Sequence, residues 1–144
     1  MLRNLPDRAM HRLLGGLTVI CATVGCATVD TAVVANPGAA FSLPLGKTAT
    51  VSGTAFRITF NRVTEDSRCP VDVTCIWAGD AKIELAVSRT SAPADHRVIS
   101  LTPPNNEATA GELKIRFVSL APAPRQSEPG SSRAYVAQLV VLSP

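Results

Sequence analysis

The chain has 144 residues, of which 46% are hydrophobic and only 4% aromatic, and 14 basic against 11 acidic residues give a net charge of +3. Residues 1–25 hold three of the arginines and one of the aspartates, so the other 119 residues carry 11 basic and 10 acidic side chains, a net charge of +1. This length fits one domain. The near-neutral charge excludes nucleic acid as a partner, because phosphate binding needs clustered lysine and arginine.

The N-terminal segment has the pattern of a secretory signal peptide. Arg3, Arg8 and Arg12 precede an uncharged apolar run over residues 13–24, which is the order of such signals. The run is shorter than the roughly 20 residues that cross a membrane. We therefore expect cleavage, and an uncleaved anchor that extends to Val29 is the alternative.

The end of this run resembles the lipobox of bacterial lipoproteins, in which a small residue precedes a cysteine that is lipidated and becomes the mature N-terminus. Gly25 and Cys26 match that pattern, whereas Thr23 stands where the family usually has an aliphatic residue. The resemblance implies that residues 1–25 are removed and that a lipid on Cys26 anchors the protein in a membrane. Ordinary signal-peptidase cleavage near residues 25–27 is the alternative and would leave a soluble periplasmic or secreted protein.

The residue after the lipobox cysteine predicts the address. In the lipoprotein sorting of Gram-negative bacteria, which this pattern resembles, aspartate at that position retains a protein in the inner membrane. Ala27 therefore implies the outer membrane, with the domain facing the periplasm; in a Gram-positive host it would lie outside the cell membrane. With Cys21 removed in the signal and Cys26 lipidated, Cys69 and Cys75 remain and are expected to form a disulfide in an oxidising compartment.

The mature chain is predicted to be a tether followed by one β domain. Residues 26–40 are small, weakly patterned and interrupted by Asn36, Pro37 and Gly38, which suits a flexible link between a lipid and a folded body. Glycine and proline together number 20 and interrupt the chain too often for long helices. We therefore expect residues 41–144 to form a single all-β domain.

Alternating apolar and polar residues mark the strands of this domain. The clearest runs, residues 56–63 and 83–88, predict a long hairpin, and Pro44 predicts that the strand over residues 41–45 lies at a sheet edge. The almost wholly apolar run 134–142 predicts a central strand covered on both faces. The weaker runs are residues 48–52, 97–101 and 112–121.

About seven such strands, separated by loops, are typical of an antiparallel β-sandwich or a small barrel. Between the strands, residues 103–111 and 121–132 have the composition of loops.

The segment over residues 66–79, DSRCPVDVTCIWAG, connects the two strands of the predicted hairpin. Its two cysteines bracket five residues, which permits a small disulfide ring. Asp66 and Asp72 can hydrogen-bond neighbouring backbone and hold turns. Arg68 can pair with either aspartate.

Trp77, the only tryptophan of the chain, has two interpretations. We expect a core plug whose indole lies over the disulfide, because a large aromatic side chain usually buries most of its area. An exposed recognition residue on the rim of the loop is the alternative. Gly79 is expected to allow a backbone conformation or a close approach that a side chain would block.

The same segment is similar to a signature, DSRCP-x4-C-x-WAG, of uncharacterised small bacterial secreted proteins and lipoproteins with an otherwise variable β domain. The matching residues are Asp66, Ser67, Arg68, Cys69, Pro70, Cys75, Trp77, Ala78 and Gly79. No activity comes with this family, so the resemblance implies no catalytic residue.

The sequence shows no pattern of catalytic or metal-binding residues. Two cysteines with five residues between them differ from the Cys-x-x-Cys of thiol oxidoreductases. With Asp66 and Asp72 alone they lack the further cysteines or histidines that zinc prefers. His96 is the only histidine after the signal segment, and no Gly-x-Ser-x-Gly motif is present, so a nucleophilic triad has no basis. We expect no enzyme activity, no metal and no cofactor.

These observations predict a non-enzymatic binding or accessory module of the cell envelope, attached to the membrane by its N-terminal lipid. Loop residues 69–75 and a neighbouring strand edge would contact an envelope protein, because recognition commonly lies on loops held by a rigid scaffold. The alternative is a secreted protease inhibitor that presents residues 70–74 as a rigid loop, since preorganisation lowers the cost of binding. A purely structural envelope protein is the third interpretation.

Overall fold

A computed structural model describes residues 32–90, 92–128 and 133–143. Within these residues the chain forms nine strands and no helix, arranged as two sheets of a β-sandwich. The predicted all-β class is confirmed. Of the two architectures that the sequence left open, the structure has the sandwich. The described residues form nine strands, where about seven were expected. The described ranges include no helix that is long and apolar enough to cross a membrane. The predicted signal peptide and Cys26 lie outside them.

The strands are, in chain order, β1 (Val33–Ala35), β2 (Ala40–Pro44), β3 (Thr48–Val51), β4 (Phe56–Asp66), β5 (Ala81–Arg89), β6 (Ala92–Ser100), β7 (Glu107–Ala110), β8 (Leu113–Ala121) and β9 (Val136–Ser143). One sheet has the order β1-β3-β4-β5-β6, and the other has the order β2-β9-β8-β7. The pairing of β1 with β3 is parallel, and the remaining neighbours are antiparallel.

The core lies between the two sheets and is made by alternate residues of each strand. In β4, Phe56, Ile58 and Phe60 are buried while Arg57 is exposed, because successive side chains of a strand point to opposite faces. Both sheets contribute large, fully buried side chains: Leu43, Ile58, Phe60, Ile83, Leu85, Ile115, Phe117 and Leu139. Each contributes about 1.5–3 kcal/mol by leaving water.

The predicted hairpin is confirmed by β4 and β5. The two strands pair from Phe56 opposite Arg89 to Asp66 opposite Ala81, with bulges after Phe60 and after Val63. The segment between them therefore leaves and rejoins the sheet at one end of the sandwich.

Two short strands were not expected from the sequence. Residues 33–35 of the predicted tether form β1, in which Ala35 is fully buried, so the folded domain begins before residue 41. Residues 107–110 of a predicted loop form β7, which pairs with β8. Strands of three or four residues take their stability from the neighbouring strand more than from their own pattern, so the sequence alone did not reveal them.

The last strand, β9, is central as predicted but is covered on one face only. It lies between β2 and β8, and Ala137, Leu139 and Val141 are buried, whereas Val136 and Val140 are half-buried on the outer face. The reason is that a sandwich has two layers, so among the described strands neither sheet is covered on its outer face by another layer. The expectation that Pro44 marks an edge strand is confirmed, because β2 ends the four-stranded sheet.

Candidate functional site

The connection between β4 and β5, residues 67–80, is here called the stapled loop. Cys69 and Cys75 form a disulfide with 5.9 Å between their Cα atoms, as the cysteine pattern predicted. Inside the loop the amide of Cys69 donates to the carbonyl of Ala78 at 3.0 Å, and the amide of Val73 donates to the carbonyl of Pro70 at 3.3 Å. The loop is thus folded back on itself by covalent and hydrogen bonds.

The base of the stapled loop depends on a close approach between its two ends. The amide of Ser67 donates to the carbonyl of Asp80 at 2.8 Å, and the amide of Asp80 donates to the hydroxyl of Ser67 at 3.2 Å. Gly79 has a φ of +69°, and a Cβ placed there would lie 1.8 Å from the carbonyl oxygen of Ser67. Both expectations for Gly79, a special backbone conformation and a close approach, are therefore confirmed.

Asp80 closes the loop against the neighbouring strand, and sequence reasoning missed it. Its carboxylate accepts hydrogen bonds from the amide of Ala81 at 2.8 Å, the amide and hydroxyl of Thr102 at 3.1 and 2.9 Å, and the hydroxyl of Ser100. Burial raises the pKa of Asp80, but these hydrogen bonds lower it by more and leave it below the usual value. The position of Asp80 between Gly79 and the predicted strand is the sequence feature that could have indicated this role.

Asp66 and Arg68 are brought together in a buried cluster with two residues that precede β9, Arg133 and Tyr135. The carboxylate of Asp66 accepts from Nε and Nη2 of Arg68 at 2.7 and 2.9 Å and from the hydroxyl of Tyr135 at 2.9 Å. Arg133 Nη1 lies 3.2 Å from that hydroxyl and 3.5 Å from the carboxylate. Of the two partners predicted for Arg68, Asp66 is the one observed.

The charge of Asp66 is maintained by these partners. Burial raises its pKa, but the hydrogen bonds from Arg68 and Tyr135 outweigh that effect and hold the pKa below its usual value. Removing one partner of a buried ion pair typically costs about 3–5 kcal/mol, because the other charge is left without compensation. Asp66 and Arg68 are therefore explained by folding, and neither is free to bind a ligand.

Arg68 also fastens the stapled loop to the other sheet. It donates from Nη2 to the carbonyl of Pro122 at 3.0 Å and from Nη1 to the carbonyl of Leu120 in β8. Asp72 lies apart from this cluster and accepts from the amide of Gln126 at 3.0 and 3.2 Å. Together with the hydrogen bond from the amide of Val71 to the carbonyl of Pro124 at 3.0 Å, these contacts hold the loop against residues 122–126.

The prediction that Trp77 is a core plug is wrong. Its side chain is 81% exposed, and that of the adjacent Ile76 is 93% exposed. Val71 and Val73 of the same loop are exposed as well. The disulfide and the hydrogen bonds of the loop hold its shape without an apolar plug, and Trp77 remains in solvent.

The other candidate chemistry is not assembled at the loop. Asp66 and Asp72 are engaged with separate partners, and His96, on β6, places its Nδ1 3.0 Å from Glu84 Oε1. In the part of the chain that the structure describes, no three His, Cys, Asp or Glu side chains are arranged to hold a metal ion.

No protein-family model, no curated protein and no solved structure matches this chain. The geometry of the stapled loop and the sequence are therefore what indicates a function.

Proposed function

We propose that the protein is a non-enzymatic binding module of the bacterial cell envelope, and that it contacts another envelope protein through Ile76 and Trp77 of the stapled loop. The observation that carries the proposal is the exposure of both side chains on a loop that is held at its base, at its disulfide and at the opposite sheet. Recognition by a rigid loop is favoured, because less side-chain and backbone freedom is lost on binding.

The exposed pair differs from the loop residues that hold the loop in place. Arg68, Asp72 and Gly79 each make a contact that the folded loop needs, whereas Trp77 leaves a large apolar surface in water. Tryptophan is among the residues most enriched at the energetic centres of protein interfaces. A binding role would explain why the apolar surface of Trp77 is exposed, whereas the stability of the fold does not.

The envelope address within this proposal comes from the sequence. A signal peptide over residues 1–25 and a lipid on Cys26 would deliver the domain to the outer membrane, facing the periplasm, and would supply the oxidising compartment in which Cys69 and Cys75 pair. The protease-inhibitor alternative draws less support from the loop itself. Residues 70–73 form a closed turn, joined from Val73 to Pro70, whereas a protease cleft accepts an extended segment.

The proposal is tested by photocrosslinking in intact cells. A photoreactive amino acid is placed at Ile76, and the matched control carries it at Val98, an exposed apolar position on β6. We expect a discrete crosslinked envelope protein from position 76 and not from position 98. Adding Trp77→Ala should lower the yield by roughly tenfold or more, the loss typical of an interface hot spot.

Trp77→Ala should change the free energy of unfolding by less than about 0.5 kcal/mol, because the side chain is exposed. Crosslinks that are the same from positions 76 and 98, or that persist in a folded Trp77→Ala variant, would contradict the proposal.

A further inference from the structure

A groove of about 500 Å³ lies beside the stapled loop, at the same end of the sandwich. One wall is made by residues 63–66 of β4, and the other includes Arg125, Arg133 and Tyr135. Pro70 of the stapled loop also lines it. The groove therefore shares residues with the stapled loop, but neither Ile76 nor Trp77 lines it.

The β4 wall of the groove is a strand edge without a partner strand in the described part of the chain. On the side away from β5, β3 pairs only with residues 57–59 of β4, and Phe60 exchanges backbone hydrogen bonds with Gly46 and Lys47. Beyond Phe60, β4 continues to Asp66 with β5 as its single described neighbour. An open edge of this kind can accept an extended peptide as an additional strand.

The arginines that line the groove outnumber its acids. Three arginines, Arg68, Arg125 and Arg133, line it together with two acids, and both acids are already engaged. Asp66 accepts from Arg68, and Glu65 Oε2 lies 2.6 Å from the ammonium of Lys82.

Arg125 is the arginine of the groove that has capacity for an anion. Arg125 is exposed and makes no ion pair with any residue that the structure describes. Arg133 is only 8% exposed and is already engaged, because Nη1 contacts Tyr135 and Asp66, Nη2 donates to the carbonyls of Arg125 and Glu128, and Nε is buried. A carboxylate brought to this wall would form charge-assisted hydrogen bonds, which are about twice as strong as neutral ones.

We propose that this groove binds an extended segment of an acidic peptide, which pairs its main chain with the free edge of β4 and places a carboxylate against Arg125. The open edge supplies the main-chain donors and acceptors, and Arg125 selects for negative charge. Neither Ile76 nor Trp77 lines this groove, so the present proposal can fail or succeed independently of the function proposed above.

The test uses the isotope-labelled protein, purified after secretion, and two acetylated and amidated hexapeptides of alternating valine and threonine. One peptide has a central glutamate, and the matched peptide has glutamine there. We expect the glutamate peptide to shift the amide resonances of residues 61–66, to slow their hydrogen exchange, and to bind about tenfold tighter than the glutamine peptide. N-methylation of alternate peptide amides should abolish binding.

Arg125→Glu is the informative variant, because Arg125 is exposed and is not part of the buried cluster. It should remove the preference for the glutamate peptide, whereas Arg57→Glu, an exposed arginine at the other end of β4, should retain it. A glutamate preference that survives Arg125→Glu would overturn the proposal. So would inorganic phosphate that shifts the same amides while neither peptide binds, since the groove would then hold an isolated anion and no peptide strand.

Discussion

Gly79 shows most directly how one residue determines the shape of the stapled loop. Its left-handed φ is one that glycine adopts at little cost, and its missing Cβ lets the two ends of the loop approach to hydrogen-bonding distance. At most other glycines of the domain only the first condition applies. At Gly53, for example, φ is +74° but an added Cβ would meet nothing within 4 Å.

These two glycines give a matched pair of substitutions. Gly53→Ala should lower the free energy of unfolding by about 1 kcal/mol, the cost of a left-handed backbone for an L residue. Gly79→Ala should cost at least about 2 kcal/mol more, because the base of the loop must also separate. Denaturant unfolding of both variants measures the difference, and equal destabilisation would mean that the close approach does not matter.

At the scale of the element, the stapled loop combines a stable frame with an exposed apolar tip. The frame consists of the disulfide, the pairing of Ser67 with Asp80, and the contacts of Arg68 and Asp72 with residues 120–126. The tip carries Ile76 and Trp77. Because the frame does not depend on the tip, the tip is available for contacts with a partner.

The disulfide is one of several restraints on this element, so its removal should weaken the domain without unfolding it. We expect the double substitution Cys69→Ser and Cys75→Ser to lower the free energy of unfolding by about 2 kcal/mol, the chain-entropy value for a ring of this size. Chemical reduction of the wild-type protein should give the same value. A protein that fails to fold without the disulfide, or loses no stability, would show that the loop is held differently.

At the scale of the whole molecule, hydrogen bonds to carboxylates predict how the domain responds to acid. The pKa values of Asp66, Asp80, Glu84 and Glu107 all lie below their usual values. For Glu84, hydrogen bonds from His96, Asn61 and Arg62 lower the pKa to about 2. These partners come from β4 and β6, the strands on either side of Glu84 in β5.

A carboxylate with a lowered pKa binds its proton in the unfolded chain at a higher pH than in the folded one. It therefore contributes stability above its unfolded pKa and loses that contribution as the pH falls towards the folded value. We expect the free energy of unfolding to fall between pH 4.5 and about pH 2 through Glu84, and Glu84→Gln to make this part of the curve flatter. Denaturant unfolding as a function of pH measures it, with Glu112→Gln as the control at an exposed ion pair.

A steeper acid dependence in Glu84→Gln than in the wild-type protein would contradict the assignment. So would a Glu112→Gln curve that flattens as much as that of Glu84→Gln.

Much of the fold was predictable because it depends on local pattern. The alternation in β4 and β5 follows from the period of a strand, and the pairing of Cys69 with Cys75 was predicted from their short spacing together with the expected loss of Cys21 and lipidation of Cys26. The short strands β1 and β7 were not predictable in this way. Three or four residues carry too little pattern, and their pairing partners supply the stability.

The sequence by itself determined the all-β class, the hairpin that carries the loop, and the need for glycine at position 79. Only the tertiary structure decided that Trp77 lies in solvent, that Asp66 is held by Tyr135 as well as Arg68, and that an arginine-lined groove meets the open edge of β4. The physical reason is distance along the chain. Local pattern specifies which face of a strand is apolar, whereas exposure and long-range hydrogen bonds depend on how the two sheets meet, and residues far apart in the sequence contribute to that junction.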